Sequence, residues 1–264
     1  MASAPQPNLP LFYKDLMPLN SRDHAQYKTR QTETASWLVG QHAIPLTSDE
    51  FVPASRHFPI IFSSGDAPLP LALMGLNEGV NTFVDDSGKV TEPVYIPAYI
   101  RRYPFMLARL QPDSEDLSLC FDPTSDLVGE DAGGEAVFDG EGKPTEATQG
   151  ILEFCQQFEE AGMRTQNFIA ALKENDLLID GEIGIEEASN PGKPFVYRGF
   201  QVVDQNKLRE LAPERLKEWN ENGILQLIYA HLFSVDLMRV IFARQAQQGK
   251  KPVMPDAATA ELQN

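Results

Sequence analysis

The spacing of apolar positions changes character near residue 145. Before it, apolar segments are short and cut by Gly or Pro, as in Pro59-Ile60-Ile61-Phe62, Leu69 to Leu76 and Thr82-Phe83-Val84, and they predict buried or half-buried strands. Asp85-Asp86-Ser87-Gly88 predicts a hairpin turn, because Asp and Gly tolerate left-handed backbone, with Lys89 to Tyr95 returning as the partner strand. Between Pro112 and Pro144 the composition shifts to Asp, Glu, Gly and Ser, interrupted by Leu117 to Phe121 and by Ala136-Val137-Phe138. That pattern reads as one strand, a long acidic loop, and a turn at Asp139-Gly140-Glu141-Gly142.

After the turn the period becomes helical. Thr148 to Ala161 places Ile151, Leu152, Cys155 and Phe158 three and four residues apart, with Gly162 as a stop, and Arg164 to Asn175 repeats the pattern with Phe168, Ile169 and Leu172. A β piece follows, Leu177 to Ile185 and Phe195 to Val203, around the turn formers Ser189-Asn190-Pro191-Gly192. Asp204 is an N-cap for a helix through Leu211, and Pro213 fits the first turn of the next, which carries Leu216 and Trp219. Asn222-Gly223 closes that helix, and Ile224 to Arg244 predicts the last and longest one. Strand runs and helix runs are segregated, which predicts an α+β fold, mainly antiparallel β in the N-terminal half with helices packed on it and a long C-terminal helix. The expected organisation is a disordered 1–10, a single domain over 11–244 and a disordered tail over 245–264.

Charge narrows the range of partners. With 22 Lys and Arg against 38 Asp and Glu, the net charge of -16 sets phosphate backbones and anionic lipid against the chain. Neither nucleic acid nor membrane insertion is expected: Ile224 to Ala243 is apolar, but it contains His231, Asp236 and Arg239 and reads as a core helix. Met1 to Pro10 has no basic residue and no apolar core, so no secretory signal is read there. The expected location is the cytoplasm, with the cell surface by a signal-peptide-independent route as the alternative. Cys120 and Cys155 belong to no CxxC pair, and both a disulfide and two free thiols stay open.

Motifs for chemistry are sparse. There is no G-x-S-x-G or G-x-G-x-x-G, and Gly140-Glu141-Gly142-Lys143 fails as a phosphate loop because Val137 stands where its first glycine belongs. His24, His42, His57 and His231 are scattered without metal-ligand spacing, so no metal and no cofactor is expected. Asp113, Glu115, Asp116, Asp122, Asp126, Glu130 and Asp131 are calcium-type donors without the D-x-[DN]-x-[DN]-G order, and they read as a solvated acidic loop. The unusual segment runs from Tyr95 to Leu107. Arg101 and Arg102 stand side by side in an aromatic, Pro-rich run of an acidic chain. Tyr99, Arg101, Arg102 and Tyr103 are therefore the candidate ligand-binding residues: a guanidinium fork among aromatics suits an anion. The same residues also suit an internal tie between arginine and a carboxylate of the acidic loop.

The run Val94-Tyr95-Ile96-Pro97-Ala98-Tyr99-Ile100-Arg101-Arg102-Tyr103-Pro104-Phe105 resembles the signature stretch of the SapC family, bacterial proteins associated with surface-layer loci. Other blocks agree: Ala43-Ile44-Pro45-Leu46, Glu50-Phe51, Phe58-Pro59-Ile60-Ile61-Phe62, Leu73-Met74-Gly75-Leu76-Asn77-Glu78-Gly79-Val80-Asn81, Phe138 to Thr145, and Gly199 to His231. The resemblance implies an accessory or binding protein of surface-layer or outer-membrane nutrient-uptake systems, and it carries no catalytic residues. The partner is then a protein of the cell-envelope or uptake machinery, or a small anionic ligand. The alternative is an enzyme acting on an anionic small molecule, with Arg101 and Arg102 orienting it and His57 or His231 handling protons.

Overall fold

Why short apolar runs become strands and one long amphipathic run becomes a helix can be followed in a computed structural model, which describes residues 9–110, 116–186, 192 and 194–250. The fold is α+β with antiparallel sheets. Its chain forms two compact units, residues 1–34 with 98–163, and residues 35–97 with 164–264. The expected disorder of the termini falls largely outside the described residues, as does most of the turn at Ser189-Asn190-Pro191-Gly192.

In the first unit, Leu117–Phe121 lies between Met17–Pro18 and Phe105–Arg109 in an antiparallel sheet. Lys28–Thr29 lies between Val128–Gly129 and Glu135–Ala136 in another. Alternation directs Phe105, Leu107 and Phe121 inward with Val128 and Cys155, and Ile151 and Leu152 of the long helix pack on them. Between strands, Asp139 closes the expected turn by accepting from the Glu141 and Lys143 amides at 2.9 and 2.8 Å.

That long helix, Glu146–Glu174, corrects the expected pair. Gly162 does not stop it. Its φ is not positive, an added Cβ would meet nothing within 4 Å, and Ala161 and Met163 on either side are good helix formers. A glycine costs a helix interior only about 1 kcal/mol, less than a break would lose here.

In the second unit, five strands run in the order Leu178–Ile185, Phe195–Val203, Ile60–Ser63, Pro70–Leu73, Ala43–Pro45. All neighbours are antiparallel. Thr82 to Val84 and Lys89 to Tyr95 form no strands; only the bridge Val84↔Val90 pairs them, although the Asp85 turn forms with Asp85 accepting from the Ser87 and Lys89 amides. The aromatic core places Phe51 edge-on to Phe168 at 5.6 Å, with Phe58, Phe62 and Phe200 also buried.

Asp204 caps Gln205–Glu210 through the Asn206 and Lys207 amides, and Pro213 opens Pro213–Glu221, which buries Trp219. The closing run is three pieces: Ile224–Ser234, a 3-10 turn at Val235–Leu237, and Met238–Gln247. The tightening has a local cause, because Ser234 Oγ bonds back to the His231 carbonyl at 2.6 Å. By length and mean hydropathy, 1.5, the run from Ile224 to Gln247 is apolar enough to cross a membrane. Within the unit, Ile228, His231, Ser234, Met238, Ile241, Phe242 and Gln245 form one buried stripe, and Tyr229, Phe233 and Val240 stay exposed. Gln245, expected at the start of the tail, is fully buried: it accepts from the Leu76 amide at 2.6 Å and donates to Asn77 and the Lys250 carbonyl.

Candidate functional site

The twin arginines sit in the first unit on the short helix Ala98–Arg102. Three residues apart on one face, Tyr99 and Arg102 are neighbours, and the Arg102 guanidinium carbon lies 4.5 Å from the Tyr99 ring centre. Phe158 of the long helix closes the other side at 4.3 Å, and Tyr13 stands at 5.9 Å. The side chain of Arg102 is 6% exposed. Its nearest carboxylate is Glu159, whose Oε1 is 3.7 Å from Nη1, an ion pair too long to be a hydrogen bond. Among the described residues, its buried Nε has no hydrogen-bond partner. Three ring faces thus supply much of what water would have given the cation. Arg101 is exposed, with its guanidinium 5.0 Å over Phe154.

The N-terminal segment completes this cage. Phe12, at φ 80 in the left-handed region, sets its ring edge-on to Tyr99 and Tyr103 at 5.5 and 6.0 Å. Tyr13 donates to the Phe105 carbonyl at 2.6 Å, and the Tyr99 hydroxyl donates to that of Leu11 at 3.2 Å. Burial pushes the Tyr13, Tyr99 and Tyr103 hydroxyls above the usual tyrosine range, with Arg102 pulling the first two back. Burial also raises Glu159, and Arg102 opposes it.

For Arg102, the internal tie expected between an arginine and the acidic loop is not what forms: its carboxylate comes from the helix, 57 residues downstream in sequence by 159 minus 102. The loop turns Asp122 inward instead, fully buried, to accept from the Lys14 and Thr124 amides at 2.8 Å each and from the Tyr103 hydroxyl at 3.4 Å. A carboxylate holding backbone amides braces the loop without an arginine. Asp126 pairs with Arg30 at 2.6 Å, and Asp113 and Glu115 lie outside the described residues. No cluster of three or more His, Cys, Asp or Glu that could hold a metal forms among the described residues.

His231, assigned proton handling in the enzyme alternative, has a different role. It belongs to the second unit and is fully buried. The Val203 amide donates to Nε2 at 3.1 Å, so Nδ1 carries the proton and donates to the Ile60 carbonyl at 2.8 Å. Burial lowers its pKa to about 4, with the Ile60 carbonyl opposing, and both nitrogens are spent on backbone. His57 is also in the second unit, its ring 6.0 Å from Phe58. Cys120 and Cys155 are free and buried, and burial pushes both thiols up to about 11, which keeps them protonated and unreactive.

A groove of about 390 Å³ in the second unit was not foreseen. Its floor is Phe200, Val202 and Val203, its helix wall is Tyr229, Leu232 and Phe233, and Glu182 and Asp236 bring negative charge to it. Gly181 keeps the floor low: a Cβ there would fall 2.3 Å from Phe200 Cε2. Tyr229 and Phe233 stack at 5.9 Å with planes 22° apart, and Phe233 is 76% exposed. Their spacing of four was visible in sequence, but an apolar period does not say which face neighbours will cover.

A family model named SapC matches residues 19–241. No curated protein and no solved structure matches the chain.

Proposed function

The chain belongs to the SapC family, and from this premise we propose that it is a non-catalytic accessory or binding protein of surface-layer or outer-membrane nutrient-uptake systems. The observation that carries the reading is the stacked Tyr229–Phe233 pair at the mouth of the groove. Large aromatics left in water beside a hollow that has apolar side chains in its lining are what protein interfaces use as anchors, and a phenylalanine 76% exposed buries little surface in the monomer. The family match runs through both compact units, which supports treating residues 11–244 as one domain. The test is retention of envelope and cytosolic proteins on immobilised wild type and on Phe233→Ser. Uptake or surface-layer components held by the first and lost from the second are expected; identical retention on both defeats the reading.

A second reading is favoured by the orphaned Nε of Arg102: a small anion bound among Tyr99, Arg101, Arg102 and Tyr103, displacing the loosely paired Glu159. A calorimetric screen of dicarboxylates and phosphate against wild type and Arg102→Met tests it, with heat expected from the wild type alone. Equal signals from both remove it.

A further inference from the structure

Resting on the binding reading above, we propose that the groove beside Tyr229 and Phe233 recognises a protein segment in which an aromatic or aliphatic anchor is flanked by Lys or Arg. The shape argues for a side-chain anchor. The hollow of about 390 Å³ has an apolar floor at Phe200 and Val202, and its exposed rim is two stacked rings four residues apart on a helix, a rigid platform that loses little entropy when covered.

Electrostatics selects the flanks. Among the described residues, the charged ones lining the groove are Glu182 and Asp236, and no Lys, Arg or His lines it. Glu182 is held by Arg198 at 2.7 Å, whereas no cation among the described residues pairs with Asp236. Around them lies a chain of net charge -16, so an acidic segment meets repulsion at long and short range and a basic one is steered in. The same charges disfavour two other occupants. A second copy would bring its own -16 and its own acid pair to the interface, and an anionic bilayer would be repelled.

Selection of displayed random peptides on the full chain, with counter-selection on Phe233→Ser, tests the proposal. Enriched peptides should share an aromatic or aliphatic anchor with Lys or Arg within a few positions. A synthetic one should lose about tenfold in affinity on Phe233→Ser and severalfold on Asp236→Lys, with binding by the wild type weakening as salt rises. Phe233-dependent peptides that are neutral or acidic overturn the assigned chemistry and leave the binding reading standing. No Phe233-dependent peptide at all overturns both. The proposal also falls if wild type but not Phe233→Ser sediments as a dimer, or floats with vesicles containing phosphatidylglycerol.

Discussion

Acidification should weaken the folded chain through His231, by an amount the geometry sets. The imidazole is neutral when folded: Nε2 receives the Val203 amide at 3.1 Å, and a proton added there would turn donor against donor. Its pKa falls from 6.5 to about 4 because burial penalises the cation, while unfolding returns it to water. Between those values the unfolded chain binds the extra proton, so stability rises with pH. The contribution is complete above 6.5, declines as pH falls through that value, and is spent once pH reaches the folded value. The gap corresponds to about 3 kcal/mol in all, and about 2 kcal/mol between pH 7 and pH 5. Other groups titrate too, so the comparison is His231→Gln, whose amide can accept from Val203 but does not ionise. Urea unfolding of both proteins, followed by tryptophan fluorescence with Trp219 buried, should give a wild-type curve that drops about 2 kcal/mol further than the variant's from pH 7 to pH 5. Curves that descend in parallel would refute the assignment of a neutral, doubly bonded ring.

Three other perturbations follow from the same reasoning. Arg102→Ala should cost about 2–4 kcal/mol in urea, because it empties the space between Tyr99 and Phe158, whereas Arg102→Met, which refills that space, should recover most of the loss; equal damage from both would mean that the filled volume is irrelevant. Gly181→Ala should destabilise by about 1–2 kcal/mol, since the added Cβ would fall 2.3 Å from Cε2 of Phe200 and force that buried ring to shift, and a wild-type melting temperature would contradict the close approach. With thiols at about 11, neither cysteine should react with Ellman's reagent at pH 8 until denaturant is added, when two equivalents should titrate; prompt reaction of the folded chain would rule out the burial.

What was legible in the sequence was what neighbours in the chain decide. Asp204 as a cap, Pro213 in a first turn, and Asp85 and Asp139 folding their side chains onto amides two and four residues ahead are all local bargains between a short polar side chain and nearby backbone. Gly162 was misread because a glycine marks a helix end only where left-handed backbone is needed, and nothing here needs it. The apolar residues of Thr82 to Val84 were taken for a strand, yet Asn81 bonds the Leu38 and Gln41 carbonyls and holds the segment in an irregular path. The unusual environment of Arg101 and Arg102 was visible as a composition anomaly. Glu159 as the carboxylate beside Arg102 was not, because choosing among 38 acids requires knowing which helix comes alongside. The exposed rings of Tyr229 and Phe233 were not legible for the opposite reason: the run reads as a core helix, and its apolar period does not say which positions the neighbours leave uncovered.

The interleaved path of the backbone sets a schedule for synthesis. Met17 pairs with Phe121, so the first strand leaves the ribosome 121 minus 17, or 104, residues ahead of its partner. At a pace of roughly 5–20 residues per second, that is a wait of roughly 5–20 seconds. For most of it Phe12 and Tyr13 are nascent and uncovered, because Tyr99, Tyr103 and Phe105 emerge only shortly before Phe121. The N-terminal segment therefore cannot reach its native contacts as it is born, and those rings stay open to other chains until the middle of the polypeptide arrives.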